Sequence, residues 1–421
     1  MDSKRTSRRQ LLSGGAALAG VALGGPVHAQ THDHASGPAS GSGNAYPMLP
    51  SDKAMVAYGE RSHFVTSVRI PHGSNGSPDE FGKTFHVASP IQDQVGNITP
   101  SSLHYIATTR QAFLPDIDPK QHTLMIHGLV DRPLTFTMDD LKRFPSVSRL
   151  HFVECAGNRH NARHKTVQES HGMTSCSEWT GVLLSTLLKE CGLKGSATWF
   201  VAEGAEEVKG ASSMPIAKAM DDCIIAYGQN GEPLRPQQGF PLRIVVPGFE
   251  GIFNTKWLRR IKVVEREYIT FQEHSRFLGL KPQTQPDSYD FGPSSVITNP
   301  SGTHRLPTHG THVISGLAWS GGGRVRKVDV STDGGKKWNR AELKMTPQRM
   351  AHVRFAYQWN WDGNETELLS RATDEIGQQQ PMLQQIAEFF KKPVGYVPGL
   401  NNSIMPWKIA KDGKVTNGLA A

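Results

Sequence analysis

The feature that leaves the fewest folds open is the punctuation of the last third of the chain. Val313–Trp319 and Val325–Ser331 are short runs of strand-forming residues. Asp333-Gly334-Gly335 then turns the chain into Lys337–Leu343, and Val353–Trp361 and Glu367–Thr373 continue the series. Short strands separated by turn residues at intervals of about eight to twelve predict an antiparallel sandwich of the immunoglobulin type. We place this all-β immunoglobulin-like domain over residues 296–410, with a tail over 411–421.

Upstream the pattern is mixed. His122–Gly128 alternates polar and apolar residues before a glycine, as a half-buried strand does. Thr137-Met138-Asp139-Asp140-Leu141 has a capping-box pattern, and Pro145 ends that helix. Trp179–Leu184 is read as opening a second helix, with Leu183, Leu187 and Cys191 on its apolar face and Gly192 as its stop. A further helix starts after Pro215. Leu242–Gly248 and Ile261–Val264 read as strands, and Cys191 and Cys223 read as core. No GxGxxG follows a strand, so an α+β domain over residues 46–295 is expected in place of a doubly wound sheet. Residues 46–110, rich in Gly, Pro and Ser, read as long loops over that core.

One thiol stands out. Leu150–Glu154 leads as a strand to Cys155, then a glycine turn, then Arg159, His160, Arg163, His164 and Lys165. Such cations favour the thiolate, the form that binds metals or attacks substrates. The plain alternative, a buried cysteine acting as a small hydrophobe, fits the position and charge poorly.

The N-terminus reads Ser7-Arg8-Arg9-Gln10-Leu11-Leu12 ahead of an apolar stretch, and Val27-His28-Ala29 offers a small-x-small cleavage site. This predicts a twin-arginine export signal over residues 1–29 and a periplasmic mature protein. Because that route carries folded cargo, a metal or organic cofactor is expected. Residues 30–45 read as a flexible linker, and its His32-Asp33-His34 tract is left unassigned. Loss of Lys4, Arg5, Arg8 and Arg9 against Asp2 lowers the net charge from +8 to +5. That mild excess suits an anionic small substrate or an acidic partner. Basic runs interleaved with aromatics are missing, so nucleic acid is not expected, nor is a membrane span in the mature chain. No cysteine pair has the CxxC spacing, which leaves haem c attachment and a zinc knuckle unsupported.

The ordered motifs Glu154–Arg159, Glu178–Leu184, Ala226–Leu234, Gly239–Arg243, Val246-Pro247-Gly248, Lys256-Trp257-Leu258 and Gly316–Ser320 resemble the sulfite oxidase family of molybdenum enzymes. Within it the chain is most similar to periplasmic sulfite or sulfane dehydrogenase subunits of bacterial sulfur oxidation. The resemblance spans roughly residues 100 to 410. It implies a molybdenum–molybdopterin cofactor, a pyranopterin dithiolene whose metal is ligated by Cys155, a soft donor joining soft sulfur ligands. It implies cofactor binding by Asn158, Arg159 and Lys256, catalytic roles for Cys155, Arg159 and Arg110, and a homodimer formed through the sandwich. Arg159 is either an anion or cofactor contact or an ordinary cation–carboxylate partner. Lys256 is either a contact to the pterin phosphate or a solvated surface lysine.

The chain departs from the family at two places. Where relatives carry Arg-Asn-His before an Asp-Pro pair, this chain has Thr109-Arg110-Gln111 before Asp118-Pro119, and Asn254 replaces a histidine two residues before Lys256. The active-site tyrosine falls on either Tyr268 or Tyr289. With no haem domain in this chain, the resemblance implies a c-type cytochrome as electron acceptor. The expected substrate is a small sulfur oxyanion, sulfite, or protein-bound sulfane sulfur. Two other readings stay open at this point: a reductase of S-oxides such as methionine sulfoxide, and a non-catalytic binding module with a degenerate pocket.

Overall fold

A computed structural model describes residues 61–62, 64–72, 85–108, 114–158, 161–206, 211–270, 290–391, 393–394 and 402–419. Its contacts divide the chain into Met1–Val65 and Thr66–Ala421, and every element named below belongs to the second unit. The export signal, the linker, Arg110, Arg159, His160 and Tyr289 lie outside the described residues.

The unit is mostly strands with few helices. It begins with a three-stranded sheet of β1 (Ile70–Pro71), β2 (Phe85–Ala88) and β3 (Ile106–Thr108), where long loops were expected. Strands of two to four residues are too short for periodicity to register. Next come β4 (Thr123–Gly128) and β5 (Leu134–Thr137), whose sheet is later completed by β8 (Trp199–Gly204), β9 (Ala211–Pro215) and β13 (Leu258–Val264), in the order β5-β4-β13-β8-β9. As the alternation predicts, Leu124 and Ile126 of β4 are fully buried. β4 runs parallel to β13, while the other pairs in this sheet are antiparallel.

The helix Met138–Arg143 carries the expected capping box: Thr137 Oγ1 accepts from Asp140 N at 3.1 Å, and the Asp140 carboxylate accepts from Thr137 N at 3.0 Å. Thr137→Ala is therefore expected to cost about 1 kcal/mol, the usual loss for an N-cap, read as a lower thermal midpoint with unchanged circular dichroism.

The central sheet contains β6 (Ser146–Glu154), β7 (Thr174–Leu183), β10 (Ile224–Gln229) and β11 (Glu232–Pro233) in the order β11-β10-β7-β6, with β12 (Arg243–Val245) also on β10. Here one expectation is corrected. Trp179–Leu183 belongs to β7, and the helix begins only at Leu184, running to Cys191 with Gly192 as its cap. β7 is an interior strand that pairs with β6 and β10. Gly181 lies so close to β10 that an added Cβ would overlap the Ile225 carbonyl. Two ladders, together with the strand preference of Trp, Thr and Val, outweigh a local helix pattern. The helix Ile216–Asp221 starts after Pro215 as expected.

The C-terminal part has two sheets. One is β14 (Ser294–Asn299), β15 (Gly310–Trp319), β18 (Glu342–Leu343) and β19 (Val353–Trp361), in the order β14-β15-β19-β18. The other is β16 (Val325–Ser331), β17 (Asn339–Arg340), β20 (Thr366–Asp374), β21 (Trp407–Ile409) and β22 (Val415–Asn417), in the order β17-β16-β20-β21-β22. One apolar cluster takes residues from both sheets, among them Leu317, Val328, Phe355 and Trp407, and extends to Phe152 and Cys176 of β6 and β7. The β6–β7 hairpin that carries Cys155 is thus backed by the C-terminal core. Among the described residues no helix is long and apolar enough to cross a membrane.

Candidate active site

Cys155 follows the last residue of β6 and is half-buried, while Cys176, Cys191 and Cys223 are buried. Burial pushes the Cys176 thiol up to about 12 and the Cys191 thiol to about 11, and raises Cys223 as well. These three are inert core thiols, as the sequence suggested for Cys191 and Cys223.

The turn around Cys155 is closely tied. Its N–H donates to Met173 O at 3.0 Å, Asn158 N donates back to Cys155 O at 2.8 Å, and Gly157 N points at the sulfur at 3.4 Å. Asn158 is buried, with Nδ2 on Glu154 Oε1 at 2.8 Å and Oδ1 accepting Met173 N at 2.9 Å. Its amide holds the turn. Ala156 N donates to Glu250 Oε1 at 3.1 Å.

Beside this turn lies a set of buried groups that sequence reasoning did not single out. Arg243 is 3% exposed. It donates through Nη1 to Gln238 O at 3.1 Å and through Nη2 to Asn254 O at 3.1 Å, and its guanidinium lies 4.7 Å from the Trp179 ring centroid. Its Nε has no partner. His104 donates through Nδ1 to Tyr105 O at 3.0 Å, stacks on Tyr105 and meets the edge of Trp179, and its Nε2 has no partner. Burial, with Arg243, Arg69 and Lys256 adding repulsion, lowers its pKa to about 3, so the ring is neutral and Nε2 is a bare acceptor. The signal for Arg243 was present in the sequence: a cation inside the apolar run Leu242–Val246. His104 carries no comparable signal, because its partners are distant in sequence.

Lys256 resolves one of the open alternatives against solvation. Its Nζ donates to Ala107 O at 2.8 Å and Gln237 O at 3.2 Å and sits 4.7 Å from the Trp257 ring centroid. Burial first, then Arg243, lowers its pKa to about 7, while Glu206 and a charge on Cys155 oppose the shift. A lysine whose folded pKa lies below its unfolded value costs stability most where it is charged in both states, below pH 7. The cost fades as pH rises toward 10.5. In cofactor-free protein, Lys256→Met should gain most on the parent below pH 7 and lose that advantage between pH 7 and 10, measured by paired thermal melts.

Tyr105 is buried, and desolvation, then the Cys155 charge, raises its hydroxyl pKa. Tyr268, expected as one choice for an active-site tyrosine, is exposed and takes Lys262 Nζ on its hydroxyl at 3.0 Å. Of Tyr105 and Tyr268, it is Tyr105 whose hydroxyl feels the Cys155 charge. Asn254 braces the backbone: Oδ1 accepts Val246 N at 2.8 Å and Nδ2 donates to Glu250 O at 3.0 Å.

Among the described residues no three His, Cys, Asp or Glu side chains are placed to hold a metal ion. What is present is one accessible thiol beside a buried donor (Arg243 Nε), a buried acceptor (His104 Nε2) and an ammonium. Buried polar atoms without partners normally signal a missing one. This donor set suits a metal that brings its own organic ligands and an anionic tail, with Cys155 as the protein's soft donor.

Comparison with known proteins agrees. Residues 111–272 match the oxidoreductase molybdopterin binding domain, and residues 285–389 match the Mo-co oxidoreductase dimerisation domain. The class is a molybdopterin-dependent oxidoreductase. The crystal structure of the sulfane dehydrogenase SoxCD from Paracoccus pantotrophus is similar, with a TM-score of 0.79 and 34% identity, covering 89% of this chain and 95% of that chain. Mitochondrial sulfite oxidase of Rattus norvegicus is 33% identical over 319 residues, 68% of this chain and 57% of that protein. Nitrate reductase (NADH) 2 of Phaseolus vulgaris is 37% identical over 317 residues, 66% of this chain and 35% of that protein. The chain belongs to the sulfite oxidase family of molybdenum enzymes, and its cofactor is molybdenum–molybdopterin.

Proposed function

We propose that this protein oxidises a reduced sulfur centre, sulfite or protein-bound sulfane sulfur, and passes the electrons to a c-type cytochrome in the periplasm. The observation that carries the reading is the half-buried Cys155 thiol beside the buried Arg243 and His104 and the partly buried Lys256. The likeness to a sulfane dehydrogenase over 95% of its chain supports it. Cys155 would hold the metal, Arg243 and Lys256 would face the anionic part of the cofactor, and His104 Nε2 would offer it a hydrogen-bond acceptor. When bound, the group supplies two-electron redox chemistry that side chains lack. Oxidation of sulfite to sulfate takes an oxygen from water and releases two electrons and two protons. Arg110 and Arg159 are assigned to the substrate oxyanion, which a guanidinium fork suits.

The two C-terminal sheets, sharing one apolar core, serve as an immunoglobulin-like domain that pairs two copies into a homodimer. The Arg8-Arg9 signal exports the chain folded, after the cofactor is in place. We place the catalytic domain at 46–293 and the pairing domain at 294–417, wider than the 296–410 read from the sequence, because β14 begins at Ser294 and β22 ends at Asn417.

The reading is tested by giving molybdenum-loaded protein and horse-heart cytochrome c either sulfite or a persulfidated carrier protein, with dye-driven reduction of nitrate and methionine sulfoxide in parallel. Cytochrome reduction by either sulfur substrate supports it. Reduction of nitrate or the sulfoxide, with no sulfur oxidation, overturns it in favour of a reductase.

A further inference from the structure

The Cys155 turn is held from behind by the C-terminal part of the chain. Trp319, the last residue of β15, is fully buried, and its Nε1 donates to Glu154 Oε2 at 2.6 Å. The other oxygen, Oε1, accepts from Asn158 Nδ2 at 2.8 Å. Asn158 Oδ1 in turn accepts from Met173 N, whose own carbonyl accepts Cys155 N at 3.0 Å. Both oxygens of a carboxylate only 3% exposed are thus engaged on opposite sides of the residue that precedes the thiol. The indole is itself held: the His352 ring lies 5.1 Å from it and stacks on Phe152 at 6.1 Å, and His352 meets Thr174 Oγ1 through Nε2 at 3.0 Å.

We infer that Trp319, acting through Glu154, is a positioning residue that sets where the Cys155 sulfur stands relative to the metal. This rests on the reading of Cys155 as the metal's thiolate. A buried hydrogen bond to a carboxylate is short, strong and directional, and here it joins the strand end bearing the ligand to a rigid aromatic of the other sheet system. The C-terminal part therefore shapes the active site directly, in addition to any role in pairing subunits. Groups that fix the orientation of a metal ligand influence activity without touching the substrate.

Trp319→Phe keeps the ring and removes the donor. In molybdenum-loaded protein we expect a fall of roughly tenfold in kcat per bound metal, about 1.4 kcal/mol, with KM for sulfite within about twofold of the parent. We also expect a shifted sulfur-to-metal absorption band. An unchanged band and unchanged kcat per metal, whether or not the melting temperature or metal content falls, overturns the inference and leaves Trp319 a packing residue. If Trp319→Phe does not accumulate, Glu154→Gln tests the same link, since it removes the charge that both donors share; it should shift the band, and an unchanged band again overturns the inference. Cys155→Ser is the control. The band followed is the one that differs between the parent and Cys155→Ser, since the dithiolene sulfurs absorb in both; identical spectra sink the assignment of Cys155 itself, whereas a band lost in Cys155→Ser but intact in Trp319→Phe sinks only the role of Trp319.

Discussion

Cys155→Ala is expected to lower kcat/KM for sulfite by at least about a thousandfold, or some 4 kcal/mol of transition-state stabilisation. Cys155 is the one cysteine outside the core, and no other group of metal-ligating side chains is placed nearby among the described residues. On the proposed reading, removing the sulfur deletes the soft protein donor to the metal. Fold should survive: the turn is held by the backbone bonds between Cys155 and Met173 and by Asn158, none of which uses the sulfur. The variant should therefore melt near the parent temperature while losing turnover. Steady-state assays normalised to metal content separate loss of chemistry from loss of cofactor.

Arg243→Met should have the second largest effect, of a different kind. The substitution leaves Gln238 O and Asn254 O without their buried donor, which costs about 2–4 kcal/mol for two groups deprived of a charged partner. It also removes the cation on Trp179 and the one partnerless guanidinium nitrogen of this residue, Nε. We expect molybdenum content to fall at least about tenfold and the thermal midpoint of the cofactor-free protein to fall as well. Lys is a poor replacement, because it cannot reach both carbonyls as a planar fork does. Metal analysis of dialysed protein, with melts of loaded and cofactor-free samples, checks both effects. Full metal retention by Arg243→Met would remove it from the cofactor site.

How much of the molecule is legible in its sequence follows from the range of the interactions. The capping box at Thr137 and the alternation in β4 are readable because both are local patterns with fixed periods. The strand leading into Cys155 is readable for the same reason. Trp179–Leu183 is not, since its state is fixed by pairing with β6 and β10, through register pairs such as Trp179 with Arg149 and with Gln229 that lie far apart in sequence. The floor of the site is similarly hidden. His104, Trp179, Arg243 and Lys256 come from four separate segments, and only the fold puts them side by side. In the sequence Arg243 stands out only as a cation inside the apolar run Leu242–Val246, which by itself gives it no role. Its burial gives it one. Glu154 and Trp319 likewise stand in two unconnected motifs, and their 2.6 Å contact spans 165 residues.

The central claim, a molybdenum centre held by Cys155, is tested most directly on protein purified from a host that makes the pterin cofactor. Molybdenum per chain is measured together with sulfite-dependent reduction of cytochrome c. Close to one molybdenum per chain, with turnover that vanishes in Cys155→Ala, is the predicted result. A protein matured correctly but devoid of molybdenum, or one whose turnover survives loss of Cys155, would contradict it.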